Sequence, residues 1–369
     1  VTLRVYVYPA DEHGCGYHRL IWPAIRLQEL GHDVTVVMPG SRALHLELRG
    51  DVPVAIRMPS DADVAVFQRV TNRYMAHAIP LMRAQGIAVV VDVDDDLTSI
   101  HPANPAWHAL HPNNEGKVGA NGQISHHSWH HLTTACNAAT LVTTSAPALV
   151  RRYAPGHGHV VYNHLAEHYY TLDHRDSDVI GWPAALMSHP NDPDVVGNAV
   201  ARLVNMEGAR FIVTANPKGV GRAFGISDDP PGITAQTTIY EWPQVINEIG
   251  IGIAPLANTV FNQSKSWLKP LEMSAIGIPW VGSPLPEYSR LHEVYHAGLL
   301  ADIPKRWYRL LRDLCRSADM RADLAGKGWE AAGRLRLRDN AWRYLEAWEL
   351  AYDMQHGRTR AAVGVRPIG

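Results

Sequence analysis

The stretch I-G-I-A-P-L-A-N-T-V-F-N-Q-S-K-S-W-L-K-P-L-E-M-S-A-I-G-I-P-W-V-G-S, residues 251–283, decides how the chain is read. The apolar run Ile251–Pro255 reads as a buried strand, followed by a polar turn. A helix is predicted over Lys269–Ile276, and Trp280–Gly282 reads as the next strand. Two strands joined through a helix run parallel, because the chain must cross back before it re-enters the sheet.

Working outward, the same alternation fills most of the chain. In the first half, strands are predicted at residues 3–8, Asp33–Met38, Val64–Phe67, Ala88–Val93, Leu141–Thr144 and Val160–Tyr162. Helices are predicted at Tyr17–Leu30, Tyr74–Ala84 and His131–Ala139, with another running through Arg152. Residues 98–131, rich in Pro, Asn, Gly and His, read as an excursion from the sheet. Glu167–Ser177, polar and charged, reads as a linker. In the second half, strands are expected at Val179–Trp182, Arg210–Thr214 and Thr238–Tyr240, with helices at Asp194–Met206 and Pro243–Ile249. From Pro304 on the composition is helical, and W-R-Y-L-E-A-W-E-L-A-Y (342–352) carries an aromatic stripe suited to packing on a domain. The fold class is therefore α/β, with parallel sheets in an N-terminal domain (1–168), a C-terminal domain (178–303) and a helical segment (304–369).

Composition narrows the partners. A chain of 369 residues has room for about two domains. Its formal net charge of −2 argues against a broad surface for nucleic acid or anionic membrane, so any anion must be held locally. No window approaches a membrane span, and the sequence opens on the strand-like V-T-L-R-V-Y-V-Y. The expectation is a cytoplasmic protein without an integral membrane segment. Cys15, Cys136 and Cys315 are far apart and form no C-x-x-C pair, which excludes a disulfide framework and a cysteine zinc site. Of the 34 basic residues only six are lysine, so a close lysine pair stands out.

Open parallel sheets bind ligands beyond the carboxyl ends of their strands, which directs attention to four segments. In G-C-G-Y-H-R, Gly14 and Gly16 permit close backbone approach, and the following helix start suits an anion, with Arg19 beside it. The dinucleotide fingerprint fails, because Arg19 stands in place of the third glycine and no acidic residue ends the second strand. A tight turn with Arg19 solvated is the plain alternative.

In D-V-D-D-D-L (92–97) four carboxylates crowd into five residues, so one is capped, hydrogen-bonded or poised for proton transfer. Asp92 and Asp94 also form a D-x-D, which could hold a divalent metal, while Asp95 or Asp96 could cap a helix. In N-Q-S-K-S-W-L-K-P-L-E, Lys265 and Lys269 are four apart and, if helical, would share a face at the N-terminal end, where two ammonium groups beside helix N–H groups suit a diphosphate. Glu272, one turn on, suits a pair of sugar hydroxyls. Finally, seven histidines lie between His101 and His131, with His126/His130 and His127/His131 at metal-ligand spacing. No third ligand is fixed by spacing, and a surface or acceptor-facing helix is the preferred reading.

These residues resemble a known family. E-M-S-A-I-G-I-P-W-V is similar to the donor-binding helix of GT-B glycosyltransferases, which reads roughly E-A-M-A-x-G-x-P-V-V. G-C-G-Y-H-R-L-I-W-P-A, L-G-H-D-V-T-V-V and D-V-A-V-F-Q-R resemble their acceptor domain, and V-V-V-D-V-D-D-D-L an acidic loop in a bacterial and phage subset. The resemblance implies two Rossmann-like domains facing a cleft, with nucleotide sugar on the C-terminal domain and acceptor on the N-terminal one. It implies that Glu272 holds the ribose and that Lys265 and Lys269 neutralise the diphosphate without an obligatory metal. Gly14, Gly16, Arg19, Trp182, Asn262, Ser264 and Ser266 complete the expected donor contacts. Asp94 or Asp95 is the expected acceptor base, with His13 as the second choice. Eight residues before Glu272, where retaining members often carry a glutamate, stands Ser264, so retention or inversion stays open. A metal-dependent D-x-D transferase and a non-catalytic nucleotide- or carbohydrate-binding protein remain as alternatives.

Overall fold

The computed structural model describes residues 3–41, 44–59, 61–110, 128–233 and 237–358. These residues fall into two compact units, the first comprising 1–98, 109–162 and 341–369, the second 99–108 and 163–340.

The first unit is built on a six-stranded parallel sheet in the order β2-β1-β5-β6-β7-β8. Its strands are β1 (Val5–Tyr8), β2 (Val34–Val36), β5 (Val64–Gln68), β6 (Ala88–Val93), β7 (Leu141–Thr144) and β8 (Gly158–Val160). β5, β6 and β7 are buried along their whole length, which is why they read as unbroken apolar runs. The helix predicted after β1 begins as one turn at Gly14–Gly16, passes through a π-helical turn at Tyr17–Ile21 and continues over Trp22–Glu29. Asn72 caps the next helix, Arg73–Ala84, its side chain accepting from the Tyr74 and Met75 N–H groups at 2.9 and 3.1 Å. An antiparallel hairpin, β3 (His45–Arg49) and β4 (Val52–Arg57), stands apart from the sheet and was not expected.

The second unit has a five-stranded parallel sheet in the order β10-β9-β11-β12-β13. The strands are β9 (Ile180–Trp182), β10 (Phe211–Val213), β11 (Ile251–Ala254), β12 (Trp280–Gly282) and β13 (Leu299–Leu300). Three expectations need correction here. Thr238–Tyr240 is not a strand but a turn, fastened by Glu241, whose carboxylate accepts from the Thr238 N–H and hydroxyl, both at 2.9 Å. Residues 167–177, expected as a polar linker, are packed on the second unit: Glu167–Tyr170 form a 3-10 turn with Tyr169 fully buried, and Asp176 pairs with Arg321 at 2.6 Å. The segment from Pro304 is divided. Helix Pro304–Arg316 buries Trp307, Leu311 and Leu314 in the second unit's core, whereas helix Trp342–Gln355 belongs to the first unit and buries Tyr344 and Trp348 there.

Each sheet has one point where strand order reverses. In the first unit it lies between β1 and β5, and in the second between β9 and β11. In open parallel sheets ligands bind beyond the carboxyl ends of the strands at such a point.

Candidate functional site

At the first unit's reversal point, the chain's own carboxylate occupies the expected anion position. Asp11, just past β1, accepts from the His13 and Gly16 N–H groups, both at 3.0 Å, with Oδ1. Its Oδ2 meets Arg69 Nη2 at 2.6 Å. A Cβ on Gly16 would run into the Asp11 carbonyl oxygen, so this glycine serves the packing of its own loop. Gly14 is half-buried and His13 exposed in the same loop.

Arg19 is 1% exposed. Its Nε and Nη2 donate to the two oxygens of Asp92 at 3.0 and 2.7 Å, and Nη1 donates to the Val161 carbonyl at 2.6 Å. Asp92 also accepts from the Thr143 hydroxyl at 2.7 Å. Arg19 and Asp92 thus spend their hydrogen bonds on each other and on Val161 and Thr143, with both side chains buried. A carboxylate so enclosed and so fully hydrogen-bonded has no outward face for a metal.

Asp94 is 8% exposed and forms an ion pair with Arg69, Oδ1 to Nε 3.2 Å. Burial raises its carboxyl, but the Arg69 guanidinium, the Cys15 side chain and the charge of Arg19 together outweigh burial and hold it below the usual carboxylate range. A carboxylate held down in this way is a weak base. Asp95 is half-buried and Asp96 buried. Asp96 is the capping residue, accepting from the Thr98 N–H at 3.2 Å and the Tyr153 hydroxyl at 2.9 Å.

Arg69, which the sequence did not single out, bridges Asp11 and Asp94 from a left-handed backbone with φ +47°. For a non-glycine residue that conformation costs on the order of 1 kcal/mol or more, and the two ion pairs hold it there. Beside Arg69, at the ends of β1, β2 and β5, lies a cavity of about 370 Å³ whose walls include Tyr8, Val37, Met38, Phe67 and Gln68. Tyr8 stacks on Phe67 with ring centroids 4.5 Å apart, and its buried hydroxyl has no hydrogen-bond partner. Burial pushes this phenol up to about 12. A larger cavity of about 420 Å³ touches Val179 and Arg210, just before β9 and β10, and so lies at the opposite strand ends.

In the second unit, the two lysines lie together with an aspartate–histidine pair. After β9 the chain forms a 3-10 turn, Asp192–Val196, and Asp192 ties three segments together. Its Oδ2 lies 2.6 Å from His189 Nδ1, and its Oδ1 accepts from the Ala257 N–H at 2.8 Å and from Asn262 Nδ2 at 2.7 Å. Both partners of Oδ1 lie on the loop after β11, which carries Lys265. Lys269 sits in the first turn of helix Leu268–Ile276, which begins without a side-chain cap, so the positive end of its dipole adds to the two ammonium groups. Lys265 Nζ stands 4.3 Å from the centre of the Phe261 ring. Both lysines act on His189: burial, then Lys269, then Lys265 push its imidazole down to about 4 against the pull of Asp192.

The remaining expected donor residues shape this turn. Asn262 is buried on Asp192, and Ser264 is buried with its hydroxyl donating to the Phe261 carbonyl at 2.7 Å. Asn163 staples the turn by donating to Ser266 Oγ at 3.0 Å and accepting from Trp267 Nε1 at 2.9 Å. Trp182 is 1% exposed within the core, edge-on to Phe224. Glu272 is 4% exposed, and its Oε1 accepts from the Tyr169 hydroxyl at 2.7 Å and Trp242 Nε1 at 3.2 Å. His189, Asp192 and Asn163 were missed in the sequence, although S-H-P-N-D directly beyond the first strand of this half was the place to look. Of the histidine group, His111, His126 and His127 lie outside the described residues, while His130 is exposed on helix Ser128–Ala138.

No family model matches the chain, and no curated protein matches it. Solved structures do. HepE of Anabaena in complex with UDP superposes with TM-score 0.59 at 13% identity, over 94% of this chain and all of that one. Sucrose-phosphate synthase of Thermosynechococcus elongatus gives TM-score 0.60 at 10% identity, over 95% of this chain and 99% of that one. A glycosyltransferase of Rickettsia africae gives 0.60 at 12%, over 95% and 99%. At such identities the likeness concerns architecture, and that architecture is the GT-B glycosyltransferase fold, two Rossmann-like parallel-sheet domains with helices at the chain's end.

Proposed function

We propose that the protein is a glycosyltransferase that moves a sugar from a nucleotide diphosphate sugar to an acceptor. One observation carries this reading: Lys265, Lys269 and the uncapped start of helix Leu268–Ile276 gather at the reversal point of the second sheet. In a chain of net charge −2 they form a local cationic cluster suited in charge to a diphosphate. HepE, with the same fold, was solved with UDP and with UDP-glucose.

In this mechanism the lysines and helix dipole stabilise the negative charge that grows on the leaving diphosphate as the glycosidic bond breaks. They do the electrostatic work of a metal ion, so no metal is required. Glu272 meets the ribose, its Oε1 exchanging the longer hydrogen bond from Trp242 for one from a ribose hydroxyl. The first unit's cavity takes an acceptor ring against Tyr8 and Phe67, and the unpaired Tyr8 hydroxyl bonds an acceptor oxygen. Asp95, half-buried beside the anchored Asp94, is the proposed acceptor-positioning carboxylate.

A binding protein without turnover is the second reading. It is favoured by Ser264, a buried hydroxyl where retaining enzymes often place a carboxylate. Incubation of the protein with nucleotide sugars and acceptor glycans, with and without chelator, separates the readings. Acceptor-dependent release of nucleoside diphosphate that is indifferent to chelator supports the transferase, whereas binding with no release supports the second reading.

A further inference from the structure

His189 feels the charge of both lysines and shares the Asp192 carboxylate with the loop that carries Lys265. Its side chain is only 10% exposed, and Asp192 Oδ2 fixes one face of the ring through Nδ1 at 2.6 Å. Asp192 is itself buried, and its other oxygen clamps the loop that delivers Lys265, through Ala257 and Asn262. One carboxylate therefore holds the imidazole and the lysine-bearing loop in register. The groups that act on the ring are Lys265 and Lys269 from the 262–276 segment and Asp192 from its own turn. The buried Tyr288, on helix Pro286–Tyr295, feels the charge of Asp192. Trp182 presents an uncharged ring edge to His189, with centroids 6.4 Å apart.

With the site empty, burial and two nearby ammonium charges disfavour a third cation, so the imidazole is neutral in ordinary buffers. A pyrophosphate carries two negative charges into the same space. Those charges offset the lysines and act with Asp192 against burial, which favours the imidazolium. We propose that His189 joins Lys265 and Lys269 as a third cationic ligand of the diphosphate, taking one proton from solvent as the donor binds. The inference rests on the proposed donor site and adds a proton to its binding reaction. The imidazolium then donates a hydrogen bond to the pyrophosphate and adds positive charge beside the bond that breaks.

The test is calorimetric titration of the full-length protein with UDP-, GDP-, ADP- and dTDP-sugars, in two buffers of different ionisation enthalpy. The pyrophosphate of a nucleotide sugar is a diester that does not itself titrate between pH 5 and 8, so proton uptake reports the protein. At about pH 5.5, between the value near 4 in the empty site and the ordinary histidine value of ~6.5, the expected uptake is close to one proton per bound donor. Affinity then rises by up to about tenfold per unit fall in pH within that window, in proportion to the protons taken up. His189→Gln should still bind, through the lysines, with the proton uptake and the pH slope both lost. Binding with heats that are independent of buffer in the wild-type protein overturns the role of His189 and leaves the donor site standing. The same holds if His189→Gln keeps the full uptake. Failure of every nucleotide sugar to bind overturns the donor site itself, and this inference with it.

Discussion

Arg19 and Asp92 form a fully enclosed ion pair, with Arg19 Nη2 2.7 Å from Asp92 Oδ2 and both side chains at most 2% exposed. The pair joins the helix after β1 to the end of β6, and Val161 and Thr143 complete its hydrogen bonds. Loss of one partner leaves the other charge buried and unpaired, at a cost of about 3–5 kcal/mol. Arg19→Ala is therefore expected to lower the unfolding midpoint sharply, as read by urea denaturation followed by circular dichroism. A variant as stable as the wild type would mean that the guanidinium reaches solvent and remains available to a ligand.

The Arg69–Asp94 pair gives the fold an acid-sensitive element. The Asp94 carboxyl is held below its unfolded value of ~3.9, so its ionisation stabilises the native state above that pH, and the contribution disappears as pH falls through the folded value. In Arg69→Gln the largest influence opposing burial is lost, which raises the carboxyl and diminishes or reverses this contribution. Urea unfolding at intervals from pH 6 to 3 is expected to show a shallower acid loss of stability in Arg69→Gln than in the wild type. Parallel curves would show that the pair contributes nothing to the pH dependence.

Asn163 offers a test of positioning without touching a charge. Its side chain and carbonyl hold Ser266 and Trp267, the two residues after Lys265. Asn163→Ala removes the amide's hydrogen bond to Ser266 and costs about 1–3 kcal/mol where the partner is left buried. Nucleotide-sugar affinity should weaken by roughly tenfold while the fold persists, as checked by calorimetry beside a thermal melt. Unchanged affinity would mean that the turn holds its shape without the staple.

Tyr8 tests the acceptor side. Tyr8→Phe removes a hydroxyl that has no protein partner, so stability should stay within about 0.5 kcal/mol of the wild type. In a transfer assay the acceptor KM should rise while donor affinity holds. A substantial loss of stability with an unchanged acceptor KM would reassign the hydroxyl to the core.

The strands were legible where burial on both faces leaves an apolar run, as in β6 and β7. The β3–β4 hairpin escaped notice because its residues are largely exposed, including Leu48, Val52 and Val54, and a half-solvated ribbon carries little apolar period. Thr238–Tyr240 shows the reverse error: a β-prone composition was overridden by a local cap from Glu241. The lysine pair was legible because it is local in sequence. The fate of Arg19 was not, since its partner Asp92 lies 73 residues away and only the parallel pairing of β1, β5 and β6 brings them together. Trp182 illustrates the same limit: nothing in its neighbours announces that Phe224 encloses it.

The account's central claim is that Lys265 and Lys269 hold the diphosphate of a nucleotide sugar. Each charge-assisted contact is worth about 1.5–3 kcal/mol, so loss of both should weaken binding by at least about 100-fold. The most direct measurement is calorimetric titration of UDP-, GDP-, ADP- and dTDP-sugars into the wild type and the Lys265→Ala/Lys269→Ala double variant, with a thermal melt to show that the variant is folded. The account predicts that one nucleotide sugar binds the wild type and that its affinity collapses in the folded double variant. Equal affinity in the two proteins, or no binding of any nucleotide sugar to the wild type, contradicts it.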